Sequence, residues 1–323
     1  MIALKGATAI LMAASLSAQT LPATASTEGA DADEPTIDQM ALDRDRYQRV
    51  TVPVTIAGQG PYRFLVDTGA QATVVSHKIV EDLQLKPNGT ARLVAMGSVQ
   101  QVDTFQLDGL EFANRRFNGI TSPLLRDRNL GADGILGLDS LQDLRVLIDF
   151  EKGKMEVADA DLLGGNSGYE IIVRARRQLG QMIITDAKIN GVRTAVIIDT
   201  GAQNTIGNMA LRKKLRGRDR ESLVITTDVH GVTMQSNLFI AETLKIGGLQ
   251  LSGVPMGFAV SPAFKSLGLD DQPALILGMH NLQIFQRVAI DFADQRILFD
   301  LPNDTLRPDL RRQVFFPSRV GTT

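Results

Sequence analysis

The sequence predicts a mostly β protein assembled from two homologous halves, and three observations carry that expectation. The eleven residues Phe64–Val74 return 132 positions later as Val196–Ile206, each copy holding Asp-Thr-Gly-Ala-Gln and a Thr in the tenth place. Apolar and polar residues alternate ahead of both copies, the two-residue period of half-buried strands. Gly numbers 29 while aromatics make up 5%, a balance that suits turn-rich β structure better than helices. With 323 residues there is chain enough for two cores of ordinary size. A formal charge of −2 creates no field that would make nucleic acid or an anionic surface the main partner, and the absence of Cys excludes disulfides and thiolate metal sites.

Taken in order, residues 1–25 read as a cleaved secretory signal: Lys5 precedes an apolar run, Ala7 to Leu16, and small residues follow at Ala23-Thr24-Ala25. The run is about half of what a bilayer span needs, so a retained anchor is the second reading and no stable membrane span is expected. Export without a single Cys fits a bacterial periplasm. Residues 26–45, acidic and small from Thr27 to Asp38, are expected to be a flexible lead-in. The first domain is assigned to 46–160, a Gly-rich linker to 161–167 and the second domain to 168–302.

Within the domains, strands Val50–Ile56 and Pro61–Val66 turn around Gly58 and Gly60, and Met182–Ile189 and Val192–Ile198 turn at Asn190-Gly191, a strong hairpin signal. Ser76 and Asn208 are good N-caps for short helices, and further short helices are expected before Leu144 and Phe285. Downstream, Leu107–Phe112 matches Ile246–Leu251 and Ser122-Pro123 matches Ser261-Pro262, while Ile135-Leu136-Gly137 matches Ile276-Leu277-Gly278 and Ile148–Phe150 matches Ile290–Phe292. The offsets only grow, as one unit copied twice with loop insertions requires. In the tail, 303–323, Arg alternates with Val-Phe-Phe, which suits either a strap over the domain interface or an exposed tether.

Each Asp of the repeated loop stands at the end of the second hairpin strand. Gly allows a backbone turn that residues with a Cβ resist, so the carboxylate sits on a rigid loop. Two such loops related by a pseudo-twofold axis bring Asp67 and Asp199 to within about 3 Å, where both cannot ionise and one proton is shared. One carboxylate then serves as base toward water while its protonated partner polarises a carbonyl.

The duplicated Asp-Thr-Gly-Ala loops, each followed by its own Ile-Leu-Gly, resemble the retropepsin-like aspartic proteases in a bacterial periplasmic, single-chain form. The resemblance implies two retropepsin-like β-barrel domains in a pseudo-twofold arrangement and an aspartic endopeptidase that hydrolyses peptide bonds of extended polypeptides. It implies catalytic roles for Asp67 and Asp199, support from Thr68, Gly69, Ala70, Thr200, Gly201 and Ala202, and packing behind the loops by Ile135, Leu136, Gly137, Ile276, Leu277 and Gly278. Thr68 and Thr200 are expected to hydrogen-bond across to the opposite loop. Flap tips are expected at Ala95-Met96-Gly97-Ser98 and Val229-His230-Gly231-Val232. The acidic residue and Arg that pair behind the retroviral loop are replaced in both halves, by Gln71 and Gln203 and by Leu138 and Met279. The hydroxyl residue that follows the pepsin-like loop is Ala70 or Ala202 here, so the dyad is expected to hold its proton to higher pH than a gastric enzyme does.

His77, His230 and His280 lack metal-ligand spacing, so neither metal nor cofactor is expected. The basic cluster Arg212–Arg220 reads as a solvated helix face and loop. One chain supplies both loops, which favours a monomer over a dimer that completes a half-site; the partner is a polypeptide substrate, a periplasmic protein by compartment, and not nucleic acid. The alternative is a catalytically inactive peptide-binding module of the same fold, which would have no need of both loops.

Overall fold

The founding hairpin of the first half pairs Thr51–Ile56 with Gln59–Val66; Val52, Val54 and Ile56 face inward, and the turn is made by Ala57 and Gly58 at φ 51° and 75°. Its counterpart pairs Gln181–Ile189 with Val192–Ile198 through Asn190-Gly191 at φ 47° and 81°, the left-handed pair that such a two-residue turn requires. These belong to a computed structural model that describes residues 8–10, 38–41, 51–126, 131–178 and 180–301. The C-terminal tail and most of the leader and lead-in lie outside the described residues.

Both halves repeat one strand order. Gly134–Leu136 runs parallel to Gln59–Val66 and antiparallel to Val74–Ser76, which in turn runs parallel to Ile120–Leu125. In the second half Ala274–Leu277 is parallel to Val192–Ile198 and antiparallel to Ile206–Asn208, which is parallel to Leu249–Ala259. Pairing of Lys188 and Ile189 with Phe239–Ile246 then closes a barrel. Four short helices, His77–Asp82, Leu138–Leu141, Met209–Lys214 and Met279–Leu282, stand where the capping residues and loop spacings place them. Asn208 caps its helix by accepting from the Leu211 N–H, whereas Ser76 makes no side-chain cap.

The halves join through a six-stranded sheet of their last strands. Arg145–Asp149 pairs antiparallel with Arg287–Asp291, centred on Leu147 opposite Ala289, with Lys154–Ala158 and Arg296–Asp300 flanking them. Ile171–Arg174 forms one edge. Asp38–Ala41 forms the other, so the lead-in expected to be flexible over 26–45 contains a paired strand. Within the segment read as a signal, Thr8–Ile10 lies parallel to Arg92–Val94.

The structure corrects the downstream match between the halves. Leu110 pairs with Ile56 and with Phe117, and the residue with the equivalent partners, Ile189 and Leu251, is Leu244 and not Leu249. Ser122 and Pro123 lie in a strand, whereas Ser261 caps an additional helix, Pro262–Ser266. The cause is physical. Successive hairpins place a left-handed glycine before an apolar strand, Gly109 at φ 69° ahead of one and Gly247 at φ 55° ahead of the next, so the pattern does not say which hairpin it introduces.

Candidate active site

Two parallel strand pairs carry the loops. The Asp67 N–H donates to Leu136 O and the Asp199 N–H to Leu277 O, each at 3.1 Å, so each Asp leaves its sheet just where the Ile-Leu-Gly strand alongside turns away. Behind the loops, a Cβ on Gly137 would lie 2.5 Å from Ala72 O, and one on Gly278 would lie 2.6 Å from Asn204 O. The loops therefore rest directly on glycine backbone. Ile135, Leu136, Ile276 and Leu277 are buried on either side.

Each carboxylate is fixed by its own loop. Asp67 Oδ1 accepts from the N–H of Gly69 at 2.8 Å and of Ala70 at 3.0 Å, and Asp199 Oδ1 accepts from Gly201 at 2.9 Å and Ala202 at 3.1 Å. The Thr68 N–H donates to Thr200 Oγ1 at 3.0 Å and the Thr200 N–H to Thr68 Oγ1 at 3.1 Å. The hydroxyls continue to the strands, Thr68 Oγ1 to Ile198 O and Thr200 Oγ1 to Val66 O.

Gly69 and Gly201 are required for a reason other than the turn expected of them. Neither has a positive φ. Instead, a Cβ on Gly69 would sit 2.5 Å from Cγ and Oδ2 of Asp199, and one on Gly201 would collide in the same way with Asp67. The opposite carboxylate occupies the place of the missing side chain.

Asp67 and Asp199 are fully buried, 0% exposed, and each carboxylate packs against the Gly of the other's loop. Burial, then the charge of Asp67, then the hydrogen bond between them push the Asp199 carboxyl well above the ordinary carboxylate range, against the pull of the Gly201 and Ala202 N–H groups. A carboxyl raised in this way beside a second carboxyl is able to keep a proton that the pair can share. That is the arrangement for acid and base at one point without a metal. Among the described residues no cluster of three or more His, Asp or Glu is placed to hold a metal ion, and no helix is long and apolar enough to cross a membrane.

The aspartyl protease family matches residues 52–140 and, a second time, 185–280, together more than half of the sequence. Each match includes one Asp-Thr-Gly and the Ile-Leu-Gly behind it. The chain belongs to the aspartyl protease family. A solved retropepsin-like aspartic protease from Rickettsia conorii is 21% identical to this aspartyl protease family member, over 41% of this chain and 89% of its own, at a TM-score of 0.28. No curated protein matches the chain.

The two hairpin tips expected to serve as flaps lie together in this family member. Pro87–Val94 and Val99–Leu107 carry the first tip, Leu223–Thr227 and Thr233–Asn237 the second. Met96, Gly97, Ser98, His230 and Gly231 all fall at these tips, and Ser98 Oγ is 2.6 Å from His230 Nδ1. His77 and His280 are elsewhere in the chain: His77 opens the helix after Ser76, and the His280 N–H donates to Gln203 O. In the basic cluster Arg212 pairs with Asp219 at 3.1 Å and lies over the rings of Phe239 and Phe258, while Lys213, Lys214, Arg216, Arg218 and Arg220 are exposed.

Four supporting residues, Asp139, Asn281, Gln181 and Asp228, are not among those the sequence points to. Thr73 is held by Asp139, whose carboxylate accepts from its N–H at 2.9 Å and its hydroxyl at 2.6 Å; Thr205 donates to Asn281 Oδ1 at 2.6 Å. Those Thr hydroxyls in turn accept from the N–H of Gly137 and Gly278. The signal was present, a polar residue shortly after Ile-Leu-Gly in each copy. Gln181 of the second half donates from Nε2 to Gly69 O, and Asp228 ties the two hairpin tips together.

Proposed function

We propose that this chain is an aspartic endopeptidase acting on extended polypeptides. The observation that supports this is the buried, juxtaposed pair Asp67 and Asp199, each carboxylate packed against the other loop's Gly, oriented by paired backbone N–H groups and locked by the Thr68–Thr200 exchange. In the monoprotonated pair the ionised carboxylate takes a proton from water as its oxygen bonds to the peptide carbonyl carbon, and the protonated carboxyl gives its proton to the carbonyl oxygen. Collapse of the resulting diol breaks the carbon–nitrogen bond, with a proton delivered to the leaving amine. A peptide held as an added strand between flaps and dyad would be bound largely through its main chain.

Both loops come from one chain, joined by the six-stranded sheet, which favours a monomer as the working unit. The apolar N-terminal run and the absence of Cys favour export to a bacterial periplasm, with a protein of that compartment as substrate. Purified protein assayed on unfolded casein and on a peptide library tests the reading. Asp67→Asn and Asp199→Asn are each expected to abolish cleavage, and the double variant is expected to be no worse than either. Full cleavage by Asp199→Asn would remove the mechanism.

A further inference from the structure

The two flap tips are tied to each other by a buried carboxylate. Asp228, at the base of the second tip, is fully buried. Its Oδ1 accepts from the N–H of His230 at 3.0 Å and of Val232 at 2.9 Å, which shapes its own turn. Its Oδ2 reaches across to the first flap and accepts from the Gly97 N–H at 3.2 Å and the Ser98 hydroxyl at 2.5 Å. The Ser98 hydroxyl has one proton. With that proton on the carboxylate side, His230 Nδ1 must donate to Ser98 Oγ, which fixes the neutral tautomer with Nε2 bare. That Nε2 is buried and has no hydrogen-bond partner among the described residues.

Apolar contacts cross in the same way. Met96 of the first tip packs with Ile183, Ile197 and Ala202 of the second half, and Val229 of the second tip packs with Leu65, Ala70 and Val74 of the first. Each tip is thus anchored in the half opposite its own, beside the residue that follows that half's Asp-Thr-Gly. Both dyad residues are wholly screened from solvent, and the tips share buried clusters with Ala202 and Ala70 next along the chain from each Asp-Thr-Gly.

We propose that Asp228, Ser98 and His230 form a proton-operated latch over the dyad, in which Asp228 is the positioning residue for both flaps and protonation of His230 releases them. The latch is a property of the flaps themselves; what it admits rests on the endopeptidase reading. Among the described residues Asp228 is the charged group that faces His230, and from the first flap come Gly97 and Ser98, neither of which titrates. Burial holds the His230 imidazole below its ordinary value of 6.5, and the charge of Asp228 offsets this only in part. A proton is therefore bound more tightly once the ring is in water. Closure is favoured above the ordinary value, and opening gains as pH falls through and below it.

Hydrogen exchange of the full chain, followed by mass spectrometry with the intrinsic pH dependence divided out, reads tip opening without any substrate. In Asp228→Asn the amides of 95–98 and 228–232 are expected to lose roughly tenfold in protection at pH 7.5, while the central strand Arg145–Asp149 keeps its own. Wild-type tips are expected to lose protection between pH 7.5 and 5.5. His230→Asn keeps a donor for Ser98 and cannot take up a proton, so its tips are expected to stay protected at both values. Ser98→Ala, a change too small to unfold the chain, is expected to loosen the tips as Asp228→Asn does. Wild-type protection in Asp228→Asn and Ser98→Ala, or a pH response that persists in His230→Asn, would overturn the latch. A chain that cleaves nothing but shows these exchange patterns would remove the endopeptidase reading and leave the latch standing.

Discussion

Thr68 and Thr200 hold each other's backbone: each main-chain N–H donates to the other's Oγ1, at 3.0 and 3.1 Å. Because each hydroxyl also donates to a strand carbonyl of the opposite half, removing one leaves a buried N–H and a buried C=O without partners. Thr68→Val, which keeps the shape, is expected to cost about 2–5 kcal/mol in urea unfolding. Thr68→Ser keeps the hydroxyl and is expected to lose much less. Equal stability of the Val and Ser variants would show that side-chain packing, not the exchange of hydrogen bonds, fixes the loops.

Gly201 leads to a sharper expectation, since the place of its missing side chain is filled by the Asp67 carboxylate. Gly201→Ala should push the carboxyls apart while the backbone, free of positive-φ strain, still accepts Ala. A displacement of about 1 Å in a reacting group costs on the order of 100-fold in rate. The expected result is a folded protein with cleavage reduced by at least that much, measured as kcat/KM. Unimpaired cleavage would mean that the carboxyl separation is not what sets the rate.

Arg145 and Asp291 form a buried pair across the central sheet, Nη2 to Oδ2 at 2.5 Å, with the same guanidinium bonded to Gly165 O and to Asn166 Oδ1. Removing one partner strands a buried charge. Asp291→Ala is expected to cost about 3–5 kcal/mol, and Arg145→Met combined with Asp291→Leu to recover much of it. A double-mutant cycle by urea unfolding measures both. Additive losses would show that the pair is not coupled across the sheet.

How much of this was legible follows from how far apart in sequence the deciding contacts lie. The Asp-Thr-Gly loops and the Ile-Leu-Gly strands could be read because each is a contiguous run occurring twice. The hairpins could be read from Asn190-Gly191 and the Gly58 turn, where backbone conformation limits the choice of residue. The register downstream of the flaps slipped because Gly109 and Gly247 mark successive turns of one design. The true reason for Gly69 and Gly201 was hidden, since it is a carboxylate about 130 residues away filling the space. Asp228 is not legible in the sequence for the same reason: its partners Gly97 and Ser98 lie on the other hairpin, and nothing local distinguishes it from a surface turn residue.

Asp199 also carries a consequence for stability. Its carboxyl is held well above the ordinary value of 3.8, chiefly by burial and next by Asp67, so the folded chain binds this proton more tightly than the unfolded chain does. The contribution is fully present below the unfolded value and is lost as pH rises through the folded one. Asn is neutral at every pH. Asp199→Asn is therefore expected to raise Tm relative to wild type near neutrality and to leave it unchanged in strong acid. A Tm difference that does not vary with pH would show that the carboxyl's ionisation is not the cause.

The same proton sets the alkaline limb of activity. In a shared-proton dyad the active state spans the interval between the two macroscopic ionisations of the pair, and the upper one is where the pair loses its acid. Asp199 Oδ1 already accepts two backbone N–H groups, whereas Oδ2 is buried with no hydrogen-bond partner among the described residues. Ala202, whose N–H lies 3.1 Å from Oδ1, offers no hydroxyl to stabilise the anion. Wild type should accordingly keep its acid into mild acidity or neutrality. Ala202→Ser would place a donor beside that carboxylate, and a hydrogen bond to the charged form lowers the pKa. The expected outcome is an alkaline limb of kcat/KM moved toward acid, with no comparable loss of Tm. The two profiles, measured from strong acid to mild alkali on one peptide, decide it. A limb that stays put would mean that burial and the Asp67 charge alone determine when the dyad gives up its proton.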